Sequence, residues 1–202
     1  MSLQLEIDSK SSEIKTDSYS MSIGELLSLY NNKEIEIHPE FQRFYRWTIT
    51  QKTKFIESLL LGIPIPPIFV YQRKDGIWDV VDGLQRLSTI FEFIGVLRDE
   101  DHKLLDPLSL EKTKYLPSLQ DKKWEHADEN QSLSLTQRLY IKRAKVSINI
   151  VLKESDEISK YELFQRLNTG GSPLSDQEVR SCILIMHNRD MFQKILELSR
   201  EE

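Results

Sequence analysis

The sequence predicts an α+β fold, and three observations carry that reading. Ile68–Gln72 and Ile77–Val81 are apolar or β-branched runs on either side of Asp75-Gly76, the pattern of an antiparallel hairpin. The second run passes within three residues into Leu84, Leu87, Phe91 and Ile94, so the period changes from sheet to helix at Asp82-Gly83. Lys145–Leu152 then alternates again through Val146, Ile148 and Ile150, after a helical stretch at Ser134–Ala144.

Residues 1–18 are rich in Ser, Lys, Asp and Glu and read as a loose or peripheral arm. Ser22-x-x-Glu25 is a capping box, and Leu26, Leu27 and Tyr30 continue a short helix to Asn31-Asn32. Glu34–His38 alternates as a short strand that Pro39 stops. Thr50–Leu61 is an amphipathic helix with Phe55, Ile56, Leu59 and Leu60 inward, ended by Gly62. The prolines of Ile63-Pro64-Ile65-Pro66-Pro67 force an extended approach to the hairpin. Residues 98–133 read as loops with short helices around Leu110 and Trp124. Asp156–Asn168 is a helix ended by Asn168-Thr169-Gly170-Gly171, and Ser175-x-x-Glu178 caps the helical region that follows, with a break near residues 188–190. The pattern is still helical at Glu202, so the native polypeptide is expected to continue. These divisions predict an arm over residues 1–18, a core over 19–152 and a helical segment over 153–202.

Composition narrows the function. The chain has 202 residues, 39% of them hydrophobic, and a net charge of −5, so it lacks the basic surplus of a protein that grips nucleic acid mainly by charge. One cysteine, Cys182, excludes an internal disulfide and reads as a buried thiol. His38, His102, His126 and His187 have no metal-ligand spacing, and no phosphate-loop, Gly-x-Gly-x-x-Gly or Gly-x-Ser-x-Gly pattern occurs. No apolar run reaches membrane length and no signal-peptide layout opens the chain, so a reducing cytoplasm is expected.

Chemistry concentrates at Asp82-Gly83-Leu84-Gln85-Arg86. The first amides of a helix lack partners within it and carry the positive end of its dipole, and Arg86 adds a fork that matches phosphate oxygens. Asp82-x-x-Gln85 also reads as a capping box with no ligand involved. Two further stretches have the same double reading. Phe41-Gln42-Arg43, within PEFQRFYRW, is either core aromatics with solvated arginines or one wall of a polyanion site. Asn168, Gly170 and Gly171 form either a helix junction or a set of amides facing a ligand.

Taken together, PEFQRFYRW, LGIPIPPIFVY running into VVDGLQRLSTI, and LFQRLNTGGSPLSDQEVR resemble the N-terminal domain of GmrSD-type modification-dependent restriction endonucleases, over residues 22–187. The resemblance implies a ParB/sulfiredoxin-like core, with a small mixed sheet surrounded by helices and a helical C-terminal part. It further implies a role in a phage-defence system that couples nucleotide state to DNA sensing or cleavage. Nucleoside triphosphate with Mg²⁺ would bind at Gly83, Gln85 and Arg86, faced by Gln42 and Arg43 and closed by Asn168, Gly170 and Gly171. In that mechanism Asp82, Gln85 and Arg86 would be catalytic, with Asp82 either holding the Mg²⁺, directly or through water, or orienting the attacking water, and Gln85 as a second positioning group. Family members usually carry an HNH-type nuclease domain, and modified DNA is a further partner of relatives. The family often has Gln where this chain has Leu84. That departure leaves two readings: an NTPase, or a nucleotide or modified-DNA sensor that does not hydrolyse and instead regulates a separate nuclease domain. Cutting of DNA by this domain itself is the weakest reading, since Glu40, Asp79, Asp82, Asp176 and Glu178 show no metal-ligand spacing.

Overall fold

The computed structural model describes residues 2–11, 16–37, 47–99 and 102–152, together with 191 and 194. The chain forms two units, Met1–Asp17 with Val151–Glu202, and Ser18–Ile150. In the first, helix α1 (Leu3–Ser11) replaces part of the expected loose arm, and Met191 and Lys194 are helical. Leu3, Leu5 and Ile7 alternate along α1, a spacing that spreads them around a helix, and all three are exposed. Gln4 donates to Asp8 one turn on, at 2.8 Å.

The fold is mixed α+β, built on a five-stranded sheet in which Thr16–Ser22 (β1) neighbours Lys145–Val151 (β5), followed in order by Ile68–Gln72 (β3), Trp78–Asp82 (β4) and Ile35–Glu36 (β2). Strand β1 (Thr16–Ser22) ends at the predicted capping box: Ser22 accepts from the Glu25 amide, and the Glu25 carboxylate accepts from the Ser22 amide at 2.6 Å. The Ser22 hydroxyl, which also donates to that carboxylate at 2.7 Å, and then the Ser22 amide hold the Glu25 carboxyl below its ordinary pKa. Helix α2 (Ile23–Asn31) buries Ile23 and Leu26. Strand β2 is only Ile35–Glu36, shorter than the expected Glu34–His38. It runs parallel to β4, pairing Ile35 with Trp78 and Glu36 with Asp79.

Helix α3 (Ile49–Leu60) starts on a second capping box, Thr48 with Gln51, and buries Phe55, Ile56 and Leu59. Gly62 follows it at φ +69°, and the proline run then delivers β3 (Ile68–Gln72). Strand β4 (Trp78–Asp82) returns antiparallel, with Val70 opposite Val80 and an irregularity between Phe69 and Val70 that sets Phe69 opposite Asp82. Helix α4 (Leu84–Ile94) packs against α3. Its Leu87, Ile90, Phe91 and Phe93 are at most 1% exposed, and burial of each such side chain contributes about 1.5–3 kcal/mol. Tyr30 stacks on Phe91 at 4.4 Å, tying α2 to α4.

Residues 98–133 depart from expectation. The short helices are 3-10 turns at Pro117–Leu119 and Glu129–Gln131, while Leu110 and Trp124 lie in irregular chain. Both are buried, because loop segments pair with one another: Leu110 donates to Lys122 and accepts from Asp121, each at 2.9 Å. Helix α3 anchors this layer through Glu57, which accepts from the Thr113 hydroxyl and from the Leu116 amide. Helix α5 (Leu135–Arg143) begins at a third capping box, Ser134 with Gln137. Strand β5 (Lys145–Val151) then buries Val146, Ile148 and Ile150, as its alternation predicts.

Candidate functional site at the strand-to-helix turn

Between β4 and α4 the chain must reverse within one residue, and Gly83 does this at φ +96° and ψ +11°. A Cβ there would lie 2.8 Å from Ile68 Cγ1 and 3.3 Å from Arg86 Nη2, so glycine is required by the backbone angle and by its neighbours. Being the N-cap residue as well, it offers α4 no side-chain cap. The capping-box reading of Asp82-x-x-Gln85 is therefore corrected. Asp82 lies one residue too early, and Gln85 Oε1 instead accepts from the Trp47 amide at 3.0 Å, 38 positions away in sequence.

Asp82 faces Arg86 one helical turn on, with Oδ2 and Nη2 2.9 Å apart. Arg86 Nη1 donates to the carbonyl oxygens of Pro66 and, at 2.9 Å, Pro67. An extended proline run leaves those carbonyls needing a donor, and the guanidinium supplies one. The side chains are 11% exposed for Arg86 and 33% for Asp82, so the carboxylate forms the open side of the pair. A cation in the first turn opposes the helix dipole, and Asp82 is the acid that compensates it. Arg86 Nε has no partner among the described residues.

Leu84 is 6% exposed and serves as a core contact, so its side chain does not line the turn. Asp79 is buried in β4, 3.7 Å from Arg73 Nε, while Arg73 Nη2 bonds Glu36 at 2.9 Å. This second ion cluster joins β2 to the hairpin; sequence reading missed it because Glu36 and Arg73 meet only through the parallel β2–β4 pairing. Among the described residues no three His, Cys, Asp or Glu side chains converge as metal ligands. A divalent cation at Asp82 would therefore need phosphate oxygens and water to complete its shell.

Of the expected site residues, the structure brings together Asp82, Gly83, Gln85 and Arg86 on one turn. Gln42, Arg43, Asn168, Gly170 and Gly171 lie outside the described residues.

The family model described as "GmrSD restriction endonuclease, N-terminal domain" matches residues 23–185, a span that contains this turn. The chain belongs to that family. It is thus a domain of the kind found in restriction systems. Comparisons with curated proteins and with solved structures return no match. No helix among the described residues is long and apolar enough to cross a membrane.

Proposed function

We propose that this GmrSD-family domain binds a nucleoside triphosphate with Mg²⁺ at the Gly83 turn, hydrolyses it, and couples nucleotide state to DNA sensing or cleavage by a nuclease domain. The observation that carries this reading is the Asp82–Arg86 pair at the mouth of a helix whose cap residue has no side chain. A phosphate group and Mg²⁺ would exchange partners with that pair: phosphate takes the place of the carboxylate on Arg86, and the cation takes the place of the guanidinium on Asp82. The exchange leaves Arg86 and Asp82 each facing an opposite charge and suits the partly open position of Asp82. Phosphoryl transfer then depends on positioning and on neutralising charge, which the α4 amides and Arg86 would supply. The ParB/sulfiredoxin-like character implied by the resemblance, and the facing roles of Gln42, Arg43, Asn168, Gly170 and Gly171, belong to the same proposal.

The test is a panel of the four ribonucleoside triphosphates, with binding by calorimetry and phosphate release measured separately, with and without Mg²⁺ and modified DNA. Saturable Mg²⁺-dependent binding with turnover supports the reading; absence of binding to all four overturns it.

One observation favours a second reading, a sensor that binds without turnover. Arg86 already satisfies Asp82, Pro66 and Pro67, and Leu84 places no polar group at the turn. Tight binding without phosphate release would select this alternative.

A further inference from the structure

A groove of about 470 Å³ runs between the Gly62–Ile65 segment and the outer side of α5, within the Ser18–Ile150 unit. Apolar side chains line it while facing solvent: Ile63 is 49% exposed, Leu139 36% and Tyr140 52%. Side chains of this type gathered along one concave surface mark a place where another molecule sits. The charge of the groove is opposite to that of the chain. Arg143 and Lys145 line it, and no acid does so among the described residues, although the protein has 32 acidic and 27 basic residues. Arg143 forms no ion pair among the described residues, and Lys145 acts on Glu25, whose carboxylate is already bonded to Ser22.

The groove is also pre-shaped. Gly62, at φ +69°, packs so closely on α5 that a Cβ would lie 2.9 Å from the Tyr140 hydroxyl. The prolines at 64, 66 and 67 restrict the wall that follows, and Arg86 fixes its far end through the Pro66 and Pro67 carbonyls. A wall that is already ordered reduces the entropy lost on binding.

We propose that this groove docks a protein segment carrying apolar side chains and carboxylates, its apolar groups against Ile63, Leu139 and Tyr140 and its acids on Arg143 and Lys145. Nothing in this depends on whether a nucleotide occupies the Gly83 turn. Because Arg86 holds the wall, affinity of the groove also depends on Arg86 with no nucleotide present.

The experiment measures fluorescence anisotropy of labelled model peptides against the full chain. The probes are an alternating leucine–glutamate peptide, its leucine–lysine and serine–glutamate counterparts, and a single-stranded oligonucleotide. Leucine–glutamate binds best, and the Arg143→Glu, Lys145→Glu double variant weakens it about tenfold or more while admitting leucine–lysine. Both positions are exposed, and the thermal transition of the variant is compared with that of the parent in parallel so that binding is read on folded protein. Arg86→Lys weakens the same peptide in nucleotide-free buffer. Equal binding of the two leucine peptides, absence of leucine–glutamate binding, or indifference to charge reversal overturns the proposal. So does oligonucleotide binding that the double variant abolishes while the peptides stay unbound.

Discussion

Arg86 Nη2 sits 2.9 Å from Asp82 Oδ2, and the same guanidinium closes on the carbonyls of Pro66 and Pro67, so one side chain joins the end of β4, the start of α4 and the entry to β3. That makes it a structural tie and a candidate phosphate ligand at once, and substitutions separate the two roles. Arg86→Ala leaves two carbonyls and a carboxylate without their donor and is expected to cost roughly 1–3 kcal/mol, read as a lower urea midpoint. If the guanidinium also meets charge that develops in phosphoryl transfer, phosphate release falls by about 10²-fold or more under conditions where the variant is still folded. An unchanged rate removes Arg86 from the site.

Asp82→Asn keeps the shape of the acid and removes its charge. The half-open pair contributes little to folding, so stability is expected to fall by no more than about 1 kcal/mol. The Mg²⁺ dependence of nucleotide binding should weaken strongly, which a calorimetric titration with and without the cation reads directly. Equal Mg²⁺ dependence in variant and parent would assign Asp82 to Arg86 alone.

Gly83→Ala meets two obstacles, the left-handed backbone and Ile68 Cγ1 at 2.8 Å from the new methyl. The backbone strain costs about 1–3 kcal/mol and the overpacking a similar amount. A reduced denaturation midpoint with an unchanged m-value checks this. A variant as stable as the parent would mean that the turn relaxes freely.

Tyr30 gives a pH prediction. Burial raises its pKa above the ordinary 10.0, against a smaller opposing effect of the Arg98 amide that it accepts. The neutral phenol is thus favoured in the folded state. Its contribution is complete below the unfolded value and is lost as pH rises from about 10 through the raised folded value. Thermal midpoints between about pH 9 and 11 should therefore fall more steeply for the parent than for Tyr30→Phe, which keeps the stack on Phe91.

Local rules made much of the scaffold legible. The Ile68–Gln72 strand, the Asp75-Gly76 turn and the Ser22–Glu25 capping box are where periodicity and turn chemistry place them. Strand β4 begins one residue late because the Ile77 amide is held in the turn by the Asp75 carboxylate at 3.1 Å. Thr48-x-x-Gln51 and Ser134-x-x-Gln137 carry the same capping signal as Ser22 and were open to the same reading. Other features depend on distant partners. Gln85 finds the Trp47 amide, Arg86 finds the Pro66 and Pro67 carbonyls, and Leu110 is buried without any helix. No local pattern encodes such meetings, so the residues at the turn could be named from sequence while their attachments could not.

The brevity of β2 also bears on one end of the sheet in solution. Foreign chains build fibrils by adding to the outermost strand of a sheet, and among the described residues β2, at one end of this sheet, is just Ile35 and Glu36, one of them acidic. Lengthening it with β-branched residues would be expected to make the protein precipitate on concentration rather than fold more firmly.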